Sequence, residues 1–166
     1  VNVFYTYNYD RLDDYHAYDD GITIDAYGPA TQTEADIYFQ KGVEEFADED
    51  YDDAARYFYT AMRLDTEDPV IPYAYVQALF ADEEYRRAAA ALRDAVAYLD
   101  PEDNGVFFPR GLYPDDEELF DQIEDLEEEV EDEYRDMDAR LLLGYQLLGI
   151  GETEIAREVL LSVRHD

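Results

Sequence analysis

The sequence predicts an all-α protein, a superhelical stack of helix-turn-helix units preceded by an extended N-terminal arm. Three observations carry that prediction. The first is self-similarity. Tyr51, Ala54, Phe58 and Ala61 recur as Tyr85, Ala88, Leu92 and Ala95, each displaced by 34 positions. A third set, Thr153, Ala156, Leu160 and Val163, follows the second at twice that displacement, and Gly42, Val76 and Gly144 keep the same register. The second is spacing: inside each period the apolar residues fall three and four apart, which puts them on one face of a helix. The third is a change of character near residue 34, upstream of which alternation replaces helical spacing. The resulting organisation is an arm over 1–34 and a repeat domain over 35–166. The domain divides into units 35–68, 69–102, a degenerate 103–136 and a shortened 137–166.

In chain order the arm comes first. Val1, Val3, Tyr5, Tyr7 and Tyr9 share one side of an extended chain, with Phe4 on the other. Ile22 and Ile24 form a second short run before Gly28-Pro29 closes it. Tyrosine, threonine and isoleucine favour strands. Residues 10–20, between the runs, are acidic and turn-like. A segment this short and polar is marginal alone in water, so it needs a surface to lie on. The contacts expected to hold it are Val1, Val3, Phe4, Tyr5, Tyr7, Tyr9, Ile22 and Ile24.

In the first unit, Tyr38, Phe39, Gly42, Val43 and Phe46 form one helical face. Residues 47–50 make the turn, with Asp50 as N-cap of the second helix. That helix offers Tyr51, Ala54, Ala55, Phe58, Ala61, Met62 and Leu64, where small Ala54 and Ala61 allow close approach and Phe58 fills the space between. Asp68-Pro69 opens the second unit, since proline is tolerated in a first helical turn. In the third unit Gly105, Pro109, Gly111 and Pro114 cannot sustain a first helix. Val106, Phe107, Phe108, Leu112 and Tyr113 are expected to fill its space. The second helix survives as Leu119, Phe120, Ile123, Leu126 and Val130.

The small-large-small series, with Gly42, Gly144, Asp65 and Asp100-Pro101, resembles the tetratricopeptide repeat, a 34-residue pair of antiparallel helices. The resemblance covers about 35–166. Two features depart from it: Lys41 and Glu45 stand where many such repeats are apolar, and the third unit lacks its first helix. Its Gly-Leu-Tyr-Pro segment is similar to a bacterial variety of these proteins, which implies no defined activity. The resemblance implies a right-handed helix-turn-helix superhelix whose concave face is lined by first-helix residues and binds protein. Here that lining is Phe39, Val43 and Phe46, then Tyr73, Gln77 and Phe80, then Leu141, Tyr145 and Leu148. The plainer reading of any single one of them is packing between helices.

Composition excludes several function classes. The chain carries 44 Asp+Glu against 12 Lys+Arg, a net charge of -32. Binding to nucleic acid is driven largely by Lys and Arg displacing counterions from phosphate, so nucleic acid is not an expected partner. Anionic membrane surfaces are disfavoured for the same reason, and no apolar run approaches the ~18 residues of a membrane span. The absence of cysteine removes disulfides, thiolate nucleophiles and Cys-ligated metals. Against disorder, 47% of residues are hydrophobic and 15% aromatic, enough for a core. A surface this acidic, with Lys41 its only lysine, also resembles proteins adapted to strong salt, which assigns no function. The chain starts at Val1, as removal of an export signal would leave it. A secreted or cell-surface location is the expectation, with the cytoplasm as the alternative.

No chemistry is legible. Ser162, the only serine, has His165 nearby but no orienting third group. His16 and His165 are too few for a zinc site without cysteine. Residues 48–52 begin like a calcium loop, yet Asp53 replaces its glycine and Tyr59 its closing glutamate. No catalytic residue, metal ligand or cofactor is expected, and weak, diffuse binding of Ca2+ or other cations by acidic clusters is the one cation role left open.

The leading expectation is a non-enzymatic structural protein whose arm docks on a neighbouring copy. Such head-to-tail contacts build rings or open filaments, so a homopolymer or fibre follows. Four buried tyrosine rings contribute on the order of 6–10 kcal/mol before ordering costs. Charge opposes this, and Arg86, Arg87 and Arg93 form the densest basic cluster available to receive residues 10–20. The alternative is an adaptor with the arm folded in cis and the groove open to a peptide or partner protein.

Overall fold

The computed structural model describes residues 33–97, 106–133 and 135–163. The arm, from Val1 and Val3 through Ile24, lies outside the described residues, and so do all its expected contacts. Among the described residues there are seven α-helices and one short 3-10 turn, with no strand. The helices are α1 (Glu34–Ala47), α2 (Tyr51–Leu64), α3 (Ile71–Ala81), α4 (Tyr85–Ala97), α5 (Asp116–Asp132), α6 (Met137–Ile150) and α7 (Thr153–Val163). The 3-10 turn, Arg110–Leu112, precedes α5.

Short polar side chains start several of these helices. Thr33 and Asp36 form a reciprocal capping box on α1: the Thr33 hydroxyl accepts from the Asp36 N–H at 3.1 Å. The Asp36 carboxylate accepts from the Thr33 N–H at 2.7 Å. Asp115 and Asp136 cap α5 and α6 in the simpler way. Asp50 does not behave as expected. It occupies the N-cap position of α2, but at φ -86 and ψ 67 its side chain makes no capping bond. The proline expectation is also displaced, because the proline in the first turn of α3 is Pro72, with Pro69 preceding the helix.

The turn inside each helix pair repeats in atomic detail. Glu49 (φ 65), Glu83 (φ 56) and Gly151 (φ 93) adopt the left-handed conformation at equivalent positions. The next N–H in each case reaches back five residues: Asp50 to the Glu45 carbonyl, Glu84 to Leu79, Glu152 to Leu147, each at 2.9 Å. These bonds satisfy carbonyls that the helix end would leave orphaned, and glutamate bears some strain at two positions where glycine would bear none.

The stack follows from which helices touch. α1 packs on α2, α2 on α3, α3 on α4, α4 on α6 and α6 on α7. Pairs α1–α2, α3–α4 and α6–α7 thus succeed one another as a tetratricopeptide-like α–α superhelix. The chain between α4 and α6 does not separate them as a layer; its 3-10 turn reaches α1, and α5 lies against α6. Within pairs, volume is exchanged across the contact. A Cβ on Gly42 would stand 2.6 Å from the Phe58 ring, and one on Gly144 would strike Leu160. The middle pair makes the same contact position with Val76 and Leu92, a larger residue facing a smaller one, and both are buried. On α5, Leu119, Ile123 and Leu126 are buried while Phe120 is 45% exposed, so Phe120 is not part of the packed face as expected.

The two ends of the stack differ from its middle. Ile71, Ala74 and Ala78 of α3, and Ala139, Leu142 and Gln146 of α6, are buried. The equivalent α1 residues Ile37, Gln40 and Glu44 are exposed, Ile37 to 42%. Lys41 lies beside them, its ammonium 5.5 Å from the Tyr38 ring and 5.6 Å from the Tyr57 ring. A lysine stands here where a repeat interior is apolar, and among the described residues no preceding helix pair covers it. At the opposite end Arg157 is exposed on α7, at the position held by buried Ala55 and Ala89.

Candidate protein-interaction site

The first helix of each pair carries the residues that the resemblance assigns to a concave lining. Of the nine, Phe46, Tyr73, Gln77, Phe80 and Tyr145 are buried, and Phe39, Val43, Leu141 and Leu148 are half-buried. The five are therefore floor rather than open surface. What covers much of this floor is the chain's own segment 106–113, an internal strap running across the first helices.

Each strap residue has an identifiable seat. Phe108 is buried against Tyr145, ring centroids 5.4 Å apart, and over Gly149, where any Cβ would collide with the Phe108 ring. Phe107 lies 6.1 Å from the Tyr73 ring, and its carbonyl accepts a 2.8 Å hydrogen bond from the Tyr145 hydroxyl. Tyr113 sets its ring at 5.0 Å and 88° to Phe46. Phe107, Phe108 and Tyr113, three of the residues expected to fill the place of a missing helix, thus lie against first-helix residues that the resemblance assigns to a concave lining.

A buried polar network anchors the far end of the strap. Gln77 and Gln146 exchange amide hydrogen bonds at 3.2 Å in each direction. Gln77 Nε2 also donates to the Tyr113 hydroxyl at 2.9 Å, which donates in turn to Gln122 Oε1 at 2.7 Å. Both Gln77 and Gln146 are wholly buried, so each amide would cost several kcal/mol if left without partners. Burial raises the Tyr113 and Tyr145 phenols well above their usual range, so both remain neutral donors. At the network's edge, Tyr51 donates to Glu118 Oε1 at 3.3 Å; burial, then the Glu118 charge, push its phenol up to about 12. Among the described residues, Tyr73 alone has a buried side-chain oxygen with no hydrogen-bond partner.

Arg110 fixes the strap to the start of α5. Its Nε and Nη2 donate to the two Asp116 carboxylate oxygens at 2.7 and 2.6 Å. That bidentate guanidinium holds the Asp116 carboxyl below its ordinary value. The basic cluster on α4 is also engaged within the chain. Arg93 meets Asp138 at 2.5 Å, Arg86 approaches Asp136 at 3.8 Å and Arg87 approaches Glu84 at 3.7 Å. Each of these arginines therefore already has a carboxylate of its own chain nearby.

Two clefts remain open beside the strap. One, about 350 Å3, has Phe46, Tyr51 and Tyr113 in its wall and Glu49, Glu117 and Asp121 among its acidic residues. The other, about 320 Å3, lies between α4 and α6 and is lined by Leu92, Val96, Val106, Leu141, Leu148 and Leu160, with Arg93 its only charged member. It gathers Leu141, Tyr145 and Leu148 from the expected lining; Phe39 and Val43 sit apart from it on α1.

Sequence reasoning did not single out Gln146, Gln122 or Gly149. A glutamine inside each of two otherwise apolar helices was the available signal for a buried amide pair. It was masked because Gln77 and Gln146 are not at equivalent repeat positions. Ser162 is occupied structurally: its hydroxyl donates to the Val159 carbonyl at 2.5 Å and accepts from Arg140 Nη1 at 3.2 Å. Among the described residues no group of three or more acidic or histidine side chains converges to hold a metal ion. None of their helices is long and apolar enough to cross a membrane.

A search of curated proteins finds no match to the chain. Residues 45–103, which span the end of α1 through α4, match the family model described as tetratricopeptide repeat. Repeats of this type generally mediate protein–protein interaction. Residues 45–103 are thus similar to the tetratricopeptide repeat, and the three successive helix pairs give the described residues a tetratricopeptide-like helical superhelix fold.

Proposed function

We propose that the chain is a non-enzymatic structural protein, secreted or held at the cell surface, whose arm over residues 1–34 docks on a neighbouring copy to build a homopolymer or fibre. The observation that carries this reading is the strap. A repeat protein that captures peptides needs its first-helix lining accessible, and here Tyr73, Gln77, Phe80 and Tyr145 are already buried. With part of that lining occupied by the chain's own residues, the tyrosine-rich arm is the feature best suited to contact protein, because tyrosine offers large apolar area, a polar tip and few rotors to freeze. Removing residues 1–27 should leave a helical monomer by circular dichroism and abolish growth in light scattering. Assembly that continues unchanged without those residues sinks the proposal.

The adaptor reading keeps one supporting observation. Phe39 and Val43 remain half-exposed on α1, beyond the strap. It requires the full chain to stay monomeric at high concentration and to lose partner capture on Val43→Asp substitution.

A further inference from the structure

We infer that the apolar cleft between α4 and α6 is the receptor for residues 1–9 of a second copy, a proposal that rests on the assembly reading above. The cleft is anomalous for this molecule. On a chain of net charge -32, Leu92, Val96, Val106, Leu141, Leu148 and Leu160 leave an apolar opening of about 320 Å3 with a single charged residue, Arg93, and that residue is basic. Val96 is 41% exposed at its mouth. A largely apolar cleft of this volume falls at the lower end of the range in which ligand groups are held. Its volume is small by ligand standards, which suits a few side chains of an extended segment rather than a whole helix.

The arm has the matching order of chemistry. Nine residues rich in Val, Phe and Tyr come first, and Asp10, Asp13 and Asp14 follow directly. An extended run of nine residues spans about 30 Å, long enough to lay alternate side chains into the cleft while the acids behind it reach the Arg-bearing side of α4. Arg93 at the edge, with Arg86 and Arg87 earlier on the same helix, is the densest basic region of the described residues. Arg87 and Arg93 already face exposed carboxylates of their own chain, and exposed ion pairs exchange partners at little cost; Arg86 lies 3.8 Å from the more buried Asp136. Apolar contact therefore supplies affinity, while the charge sequence sets which end of the arm enters where.

The absence of cysteine makes the test clean. Full-length chain carrying Tyr5→Cys or Tyr7→Cys together with Val96→Cys is oxidised at assembling concentration. The expected product is a ladder of covalent dimers and higher species, with no ladder when the second cysteine is placed at Ile155 on α7 instead. Separately, Val96→Asp should cut assembly at least tenfold in light scattering while retaining the wild-type circular dichroism spectrum. An intrachain disulfide that yields only monomer overturns the second copy as occupant. Absence of cross-linking while the wild-type chain assembles overturns the cleft but leaves the assembly reading standing. A wild-type chain that never assembles removes that reading itself.

Discussion

The helix stack and the strap are built by different physics. Across α1–α2 and α6–α7 the central contacts are steric: a glycine on one helix receives Phe58 or Leu160 from the other, with polar contact only at the periphery, Lys41 beside Tyr57 and Arg140 donating to Ser162. Between strap and stack the contacts mix rings with hydrogen bonds, through Gln77, Gln146, Tyr113 and the Tyr145 hydroxyl. Steric interlock repeats easily because it requires only volume. A hydrogen-bonded seat is specified once, and it gives the strap one register on the stack, since any slip would strand buried amides.

The largest expected effect breaks the stack itself. Phe58→Ala should cost about 3–5 kcal/mol in urea unfolding, with helicity lost in the same transition, because the space under Gly42 cannot collapse. A variant aimed at the strap's seat on α6 should behave otherwise. Gly149→Leu drives a side chain into the Phe108 seat, at an expected cost of about 1–3 kcal/mol. Hydrogen exchange should accelerate in residues 106–113 while α1–α4 keep their protection; uniform acceleration would mean that strap and stack are one cooperative unit.

Smaller changes sharpen the contrast. Gln77→Leu strands Gln146 and Tyr113 and should cost about 1–3 kcal/mol, part of which Gln77→Leu with Gln146→Leu recovers. Tyr73→Phe removes the hydroxyl that is buried without a partner and should leave stability unchanged or raise it by about 1 kcal/mol. A clear loss would reveal a partner for that oxygen. The smallest effect is the pH dependence of the Arg110–Asp116 pair. The folded Asp116 carboxyl titrates below its unfolded value, so its stabilisation is present above the usual carboxylate range and disappears as pH falls through the folded pKa. Both groups are substantially exposed, which keeps the contribution under about 1 kcal/mol. Arg110→Gln should flatten that part of the stability–pH curve.

The fold was legible because its interlock leaves a trace at fixed displacement: Tyr51, Ala54 and Phe58 return as Tyr85, Ala88 and Leu92, and the helices begin and end around them. That residues 106–115 form no α-helix was legible too, because Pro109, Gly111 and Pro114 forbid one. Where the replacement goes was not. Periodicity reports which side of a helix is apolar but says nothing of which distant loop covers it, so Tyr73 and Tyr145 read equally well as open lining or as floor. The repeated left-handed turn was hidden for a simpler reason: two of its three positions hold glutamate, which carries no turn signal. Asp50 misled in the opposite direction, a good capping residue whose backbone geometry does not let it cap.

The replacement of stacking positions by Lys41 and Glu44 at one terminus and by Arg157 at the other has a consequence for growth. Lengthening the superhelix by abutting copies would press Arg157 of one molecule against a lysine and glutamate of the next, with no alanine to permit the close approach found inside. Polymerisation along the superhelical axis is thereby discouraged at both faces. A fibre of the proposed kind would therefore rest on contacts made beside the described helix pairs rather than between their two end faces.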